Sequence, residues 1–204
     1  MKNIRTIRLI AIEAILVGGN ASLSREKLMK MTGVGPAQVT RTIREYRDLF
    51  PDNLKFGTAK HYEPTDAFAP SLLSESALKD LKEKGETACL YQALERTAKF
   101  DVLDAFIDAQ LVLKREVVRD DFEKLFGAPP ATVTRAIRRA RERTGKELKF
   151  DSVSGAFKLV GVLKKSVRLL KEDSDASTFM GDVVTLIEAN AFAERKLSEL
   201  AELA

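Results

Sequence analysis

Displaced against itself by 94 residues, the sequence comes into register without a gap across helix, turn and strand signals alike. GVGPAQVTRTIREYR (33–47) returns as GAPPATVTRAIRRAR (127–141). Pro36, Ala37, Val39, Thr40, Arg41, Ile43, Arg44 and Arg47 recur as Pro130, Ala131, Val133, Thr134, Arg135, Ile137, Arg138 and Arg141. The same displacement pairs Leu54-Lys55-Phe56 with Leu148-Lys149-Phe150, Arg25 with Arg119, Lys30 with Lys124, and Leu9 and Ala11 with Leu103 and Ala105. Biased composition alone would not hold one register through elements of different period, so the chain reads as a duplication. With 204 residues, 45% of them hydrophobic, it has material for two small cores.

One reading serves both copies. Apolar Ile4, Ile7, Ile10, Ile12, Ile15 and Leu16 predict a first amphipathic helix, matched by Phe100, Leu103, Phe106, Ile107 and Leu111. Gly18-Gly19-Asn20 stops it in copy one; Val112-Leu113-Lys114 stands there in copy two, so that end must differ. A short extended stretch (21–23, 116–118) leads to a brief helix with Ser24 as N-cap in the first copy. Gly33 and Gly127 supply a tight turn, and Pro36 and Pro130 open a second helix at a position that tolerates the missing N–H. A hairpin follows in each. This order is that of a winged helix-turn-helix.

The expected fold is therefore mainly α with short β-hairpins: tandem winged helix-turn-helix domains plus a C-terminal helix. The divisions are domain one at 1–66, a connector with one helix at 67–94, domain two at 95–163, and a C-terminal helical segment at 164–204. That last segment, with an apolar stripe of Val183, Val184, Ile187, Leu197 and Leu200 capped near Asp175 or Ser177, is a candidate dimerisation helix.

A helix-turn-helix reads duplex DNA through base-facing side chains near the start of its second helix and phosphate anchors around it. With Val39 and Ile43 inward, Gln38, Arg41, Thr42 and Glu45 are expected on or near the opposite face, and Thr132, Arg135, Ala136 and Arg139 in copy two. Gln38 suits an adenine edge and Arg41 a guanine edge. Thr40 and Thr134 could donate to phosphate or pack inward. Arg44, Arg47, Arg138, Arg141 and Arg143 continue the basic side, and the wing lysines Lys55, Lys60, Lys149 and Lys158 with His61 are placed to meet phosphate or simply to solvate a strand edge. Residues 36–60 carry five basic and three acidic side chains, residues 130–149 seven and two, against a whole-chain charge of +4. The expected DNA-binding set is Gln38, Thr40, Arg41, Thr42, Arg44, Lys60, Thr132, Thr134, Arg135, Arg138, Arg139 and Lys149.

Catalysis and metal binding find no motif. His61 is the sole histidine and Cys89 the sole cysteine. Asp104, Asp108, Asp120 and Asp121 have the spacing of a solvated helix face or caps. Gly33-Val34-Gly35 does not extend to a dinucleotide fingerprint. No enzyme activity, cofactor, small-molecule ligand or membrane partner is expected, and a reducing cytoplasm, close to the nucleoid, is the expected location.

RLIAIEAIL, SREKLMKMTGVGPAQVT and REYRDLFPDNLKFGTAKHYEPTDAFAP, within residues 8–73, resemble the N-terminal winged-helix domain of WYL-type transcriptional regulators, particularly those associated with BREX and CBASS phage-defence islands. PDNLKF followed by a wing and a Tyr-x-Pro-Thr ending is its more specific part. The resemblance implies a DNA-binding dimer that controls neighbouring genes, usually as a repressor, with Gln38 and Thr40 at DNA-contacting positions. It covers about a third of the chain. Those regulators continue into a ligand-sensing WYL domain, whereas this chain has no tryptophan and a second copy of the first unit, so ligand sensing is not carried over.

The leading expectation is a sequence-specific regulator, a repressor, that binds double-stranded DNA as a homodimer with two recognition helices per chain. The alternatives are a plasmid or phage replication initiator with tandem winged helices, and a winged-helix structural adaptor that binds protein. Because Gln38 faces Thr132 and Thr42 faces Ala136 across the repeat, and copy two is the more basic, the copies are expected to be two non-equivalent readers.

Overall fold

The computed structural model describes residues 4–19, 22–57, 61–145, 147–164, 167–170 and 173–202, without the side chains of Ile4, Glu123 and Lys124. It divides into two compact units, Asn3–Lys99 with Val184–Ala204, and Phe100–Val183. No helix among the described residues is long and apolar enough to cross a membrane.

In the first unit, α1 (Ile4–Gly18) is central. Leu9, Ile10, Ala11, Ile12, Ala14 and Ile15 are wholly buried, so the helix is apolar nearly all round, as a helix enclosed by others must be. It is enclosed by α2 (Arg25–Thr32), α3 (Pro36–Leu49), α4 (Glu75–Lys84) and α5 (Cys89–Thr97). Residues 67–94, expected as a connector, thus supply α4 and most of α5 and complete the core around α1. They bury Leu72, Leu81, Leu90, Tyr91 and Leu94. At Gly18 a Cβ would stand 2.9 Å from Leu81 and 3.1 Å from the Gly85 carbonyl, so the glycine that ends α1 also lets this layer approach.

Local signals set the ends of α2. Ser24 Oγ accepts from Lys27 N (3.0 Å), and Gly33 closes the helix in the left-handed region at φ 66°. Val39, Ile43 and Tyr46 of α3 face the core, each worth about 1.5–3 kcal/mol of burial. β1 (Leu54–Phe56) and β2 (Tyr62–Pro64) form the antiparallel wing, which the Leu23–Tyr62 bridge extends by one residue pair. One buried polar network ties the unit together. Glu13, at 0% exposure, accepts from Ser71 N, Leu72 N and the Tyr46 hydroxyl, which itself accepts from Asn53 Nδ2.

The second unit repeats the element order. α6 (Val102–Lys114), capped by Asp101, leads to β3 (Glu116–Val118), α7 (Arg119–Phe126), α8 (Pro130–Arg143), β4 (Leu148–Asp151) and β5 (Ala156–Leu159). β5 is central in a three-stranded antiparallel sheet, order β3-β5-β4. Where copy one uses glycine to end its first helix, copy two places Arg115 in the left-handed region (φ 57°), and its guanidinium donates to the Gly161 carbonyl at 2.6 Å. Phe106, Phe122 and Phe126 pack with centroids 4.9–6.2 Å apart. Asp104 and Asp108, expected on a solvated face, are buried at 8% and 2% exposure. Asp108 accepts from Leu169 N and Leu170 N, holding the segment after the hairpin to α6 as Glu13 holds Ser71 and Leu72 to α1.

α9 (Asp173–Glu202) begins two residues before the expected cap. Its buried stripe is Ala176, Phe179, Val183, Leu186, Asn190 and Ala193, spaced three and four residues apart. Of the expected stripe, Val183 is buried, Ile187 and Leu197 are half-buried, and Val184 and Leu200 are exposed.

Candidate nucleic-acid interface

α3 and α8 each begin with proline at the first helical turn, after Gly35 and Pro129, and neither has a side-chain cap. By contrast α2, α4 and α6 are capped by Ser24, Ser74 and Asp101. Pro36 and Pro130 carry no N–H, and Gln38 N and Thr132 N donate to the Gly35 and Pro129 carbonyls (3.1 and 2.8 Å), which leaves Ala37 N and Ala131 N at the positive end of each helix dipole for an outside acceptor. The exposed residues at these starts are Pro36 and Ala37, and Pro130 and Ala131, small enough to admit close approach.

The exposed face then runs through arginines one turn apart. In α3 these are Arg41, Arg44 and Arg47; in α8 they are Arg135, Arg138 and Arg141. Among the described residues no carboxylate lies within ion-pair reach of Arg41, Arg44 or Arg141, and Arg138 approaches Glu142 only at 3.9 Å. Arg47 lies over the Tyr62 ring at 6.0 Å, joining the end of α3 to the wing. Arg135 folds back along its own helix, donating to the Ala131 carbonyl and Thr132 Oγ1 at 3.3 Å each.

The threonines are less free than expected. Thr40 Oγ1 donates to the Pro36 carbonyl (3.0 Å) and Thr134 Oγ1 to the Pro130 carbonyl (2.8 Å), so in this rotamer both hydroxyls can accept but not donate to phosphate. Gln38 and Thr132 are half-buried at the edge of the face.

Two expected contact residues face elsewhere. Thr42 is 1% exposed, packed inward between Val39 and Ile43 in sequence, and its counterpart Ala136 is fully buried. The inward stripe is one residue wider than Val39 and Ile43 suggested, because a helix buries an arc of about 100° and not a line. Arg139 is committed to the protein: its Nε donates to Asp104 at 2.7 Å and its Nη2 lies 3.5 Å from Asp101. Arg143 Nη1 lies 3.6 Å from Asp104 as well. The aspartate hydrogen bond holds the Arg139 guanidinium above its ordinary pKa. In copy one the matching position is Glu45, which pairs with Arg5. The tie between α1 and α3 is thus matched between α6 and α8 with the charges exchanged, and Arg139 and Arg143 are held within their unit.

The wings repeat the pattern. Leu54 and Leu148 are buried, while Lys55, Phe56, Lys149 and Phe150 are exposed. Lys158 is bound to Asp151 across the hairpin at 2.6 Å, and His61 lies 3.3 Å from Glu63. Lys60 lies outside the described residues. Phe56 and Phe150, 63% and 57% exposed, were not anticipated. Alternation puts each on the same side as a buried leucine, but the strand runs past the edge of the core before reaching it. Each packs against the ring directly opposite, Phe56 edge-to-face on Tyr62 at 5.1 Å and Phe150 tilted on Phe157 at 5.0 Å. Their recurrence at one register was the available signal. Exposed aromatics beside lysine suit a groove wall, where an apolar ring contacts sugars or base edges.

Residues 5–83 match the family model of the BrxR transcriptional regulator winged helix-turn-helix domain. The match spans α1 to the end of α4 but for one residue at each end, taking in the helix-turn-helix, the wing and the packing helix. This segment is a winged helix-turn-helix domain of the kind found in DNA-binding transcriptional regulators. No curated protein and no solved structure matches the chain.

Proposed function

We propose that both units bind double-stranded DNA, each through its second helix-turn-helix helix and wing, and that the chain is a sequence-specific transcriptional regulator acting as a repressor. The observation that carries this reading is the pair of proline-led helices with three exposed arginines in α3 and the same three in α8. In α3, which lies within the matched regulator domain, such a face is the chemistry of phosphate anchoring and guanine recognition, and α8 carries the same residues. Arg41 and Arg135 are the base-reading candidates; Arg44, Arg47, Arg138, Arg141, Lys55 and Lys149 are phosphate anchors. A homodimer has less support, because the main apolar stripe of α9 is already buried within one chain.

Gel shifts of the full chain on the duplex upstream of its own gene test the reading. Binding at low salt, weakened when Arg41 and Arg135 are both changed to alanine, is the expected result. No binding at low salt, or binding indifferent to that double change, overturns it. A reporter driven by the same upstream duplex should fall in output when the chain is supplied. A rise would make it an activator. Sedimentation of free chain and complex gives the number of chains per duplex.

A further inference from the structure

We propose that α3 and α8 read the same short DNA element, so that one chain recognises a duplex carrying that element twice. This rests on the reading that both units bind DNA. The sequence difference between the helices points the other way until burial sorts it. Among the aligned pairs of 36–49 and 130–143, the differing ones are 38/132, 42/136, 45/139, 46/140, 48/142 and 49/143. Thr42, Ala136, Tyr46 and Ala140 are buried. Glu45, Arg139 and Arg143 are held in ion pairs with α1 or α6, and Leu49 is half-buried. Asp48 and Glu142 are exposed but carry the same charge.

Of the exposed and half-buried positions with the means to contact a base or phosphate, all but 38/132 are kept once burial and ion pairs are taken into account. Ala37, Thr40, Arg41, Arg44 and Arg47 stand opposite Ala131, Thr134, Arg135, Arg138 and Arg141. Even the hydroxyl rotamers agree, both threonines bonding the carbonyl four residues back. The first strands of the wings follow suit, with Lys55-Phe56 and Lys149-Phe150 outward in both. Two copies free to specialise would be expected to keep their cores and vary their surfaces. Here the cores are repacked, with tyrosine against alanine at 46/140 and a reversed ion pair at 45/139, while the outward face is kept. Selection for one recognised element explains that; two different elements do not. Gln38 against Thr132, half-buried as Thr40 is, is the one difference that neither burial nor an ion pair removes from the face, and it tunes one base pair of the element at most.

Selection of full chain against random-sequence duplex, followed by sequencing, is the test. The enriched duplexes should contain one element of about four to six base pairs twice. Arg41→Ala and Arg135→Ala should each lower affinity for a two-element duplex by about tenfold, and the remaining preference should be for that same element in both variants. Gln38→Thr should erase any residual difference between the two elements. Two unrelated elements, or a single element that suffices for full affinity, would overturn the proposal while leaving DNA binding intact. Absence of any duplex binding at low salt would remove the underlying reading as well.

Discussion

Raising the pH from 5 to 8 should weaken the first unit, and Glu13 is the reason. Its carboxyl is fully buried on α1, and burial pushes its pKa up from 4.5 to about 7 against the opposing effect of three donors, Ser71 N, Leu72 N and the Tyr46 hydroxyl. The folded state therefore holds a proton that the unfolded chain has released between pH 4.5 and 7. Stability follows the difference in bound protons, so the contribution is fully present below 4.5 and is lost as pH rises through about 7. At roughly 1.4 kcal/mol per pH unit, the gap corresponds to about 3 kcal/mol. Exposed Asp80 and Glu86 of the same unit have lowered pKa values, so their contributions are lost only as pH falls below the window. The assay is urea unfolding of the full chain at pH steps from 5 to 8, followed by tyrosine emission. The chain has no tryptophan, and its three tyrosines, Tyr46, Tyr62 and Tyr91, all lie in the first unit, so the signal reports that unit alone. Glu13→Gln keeps the shape and removes the titration, and its unfolding midpoint should lose most of the pH slope. A wild-type midpoint flat from pH 5 to 8, or an equal slope in the variant, would refute the reasoning.

Asp104→Ala should destabilise the second unit by about 1 kcal/mol, since it leaves Arg143 without its carboxylate and Arg139 with only the 3.5 Å contact to Asp101; hydrogen exchange of α6 and α8 amides would localise the loss, and an unchanged exchange pattern would sink it. Gly33→Ala forces a Cβ into the left-handed region and to 2.6 Å from the Ala98 carbonyl, so a loss of over about 1 kcal/mol is expected in the tyrosine-detected midpoint. Arg44→Ala and Arg138→Ala should each reduce the salt slope of DNA binding by about one without altering the preferred sequence. A changed sequence preference would make these residues base readers. Phe56→Ala and Phe150→Ala, on half-exposed wing sites, should leave stability nearly unchanged while weakening duplex binding.

Much of the scaffold was legible because it depends on short-range chemistry. Ser24 as a cap, glycine at 33 in a left-handed turn and proline opening α3 and α8 are local requirements of helix ends. The 94-residue register was visible for the same reason, since it needs only letters. Which side of a helix is buried depends on what packs against it, and that was not visible. Nothing near Glu13 announces that Ser71 and Leu72 will reach its carboxylate, and nothing in 67–94 announces that it closes the far side of α1. Arg139 looks like any other arginine of a basic helix until Asp104, 35 residues earlier, is brought to 2.7 Å.

The sequence by itself determined that two segments 94 residues apart, 33–47 and 127–141, share one register, and that each carries a proline-led helix rich in arginine. Only tertiary structure decided which residues of that helix meet the solvent. Burial of Thr42 and Ala136 and the pairing of Glu45 and Arg139 remove the apparent differences from the outward face, except Gln38 against Thr132. The physical reason is that sequence comparison weights every position alike, whereas a partner touches only side chains that the core and its ion pairs have left free.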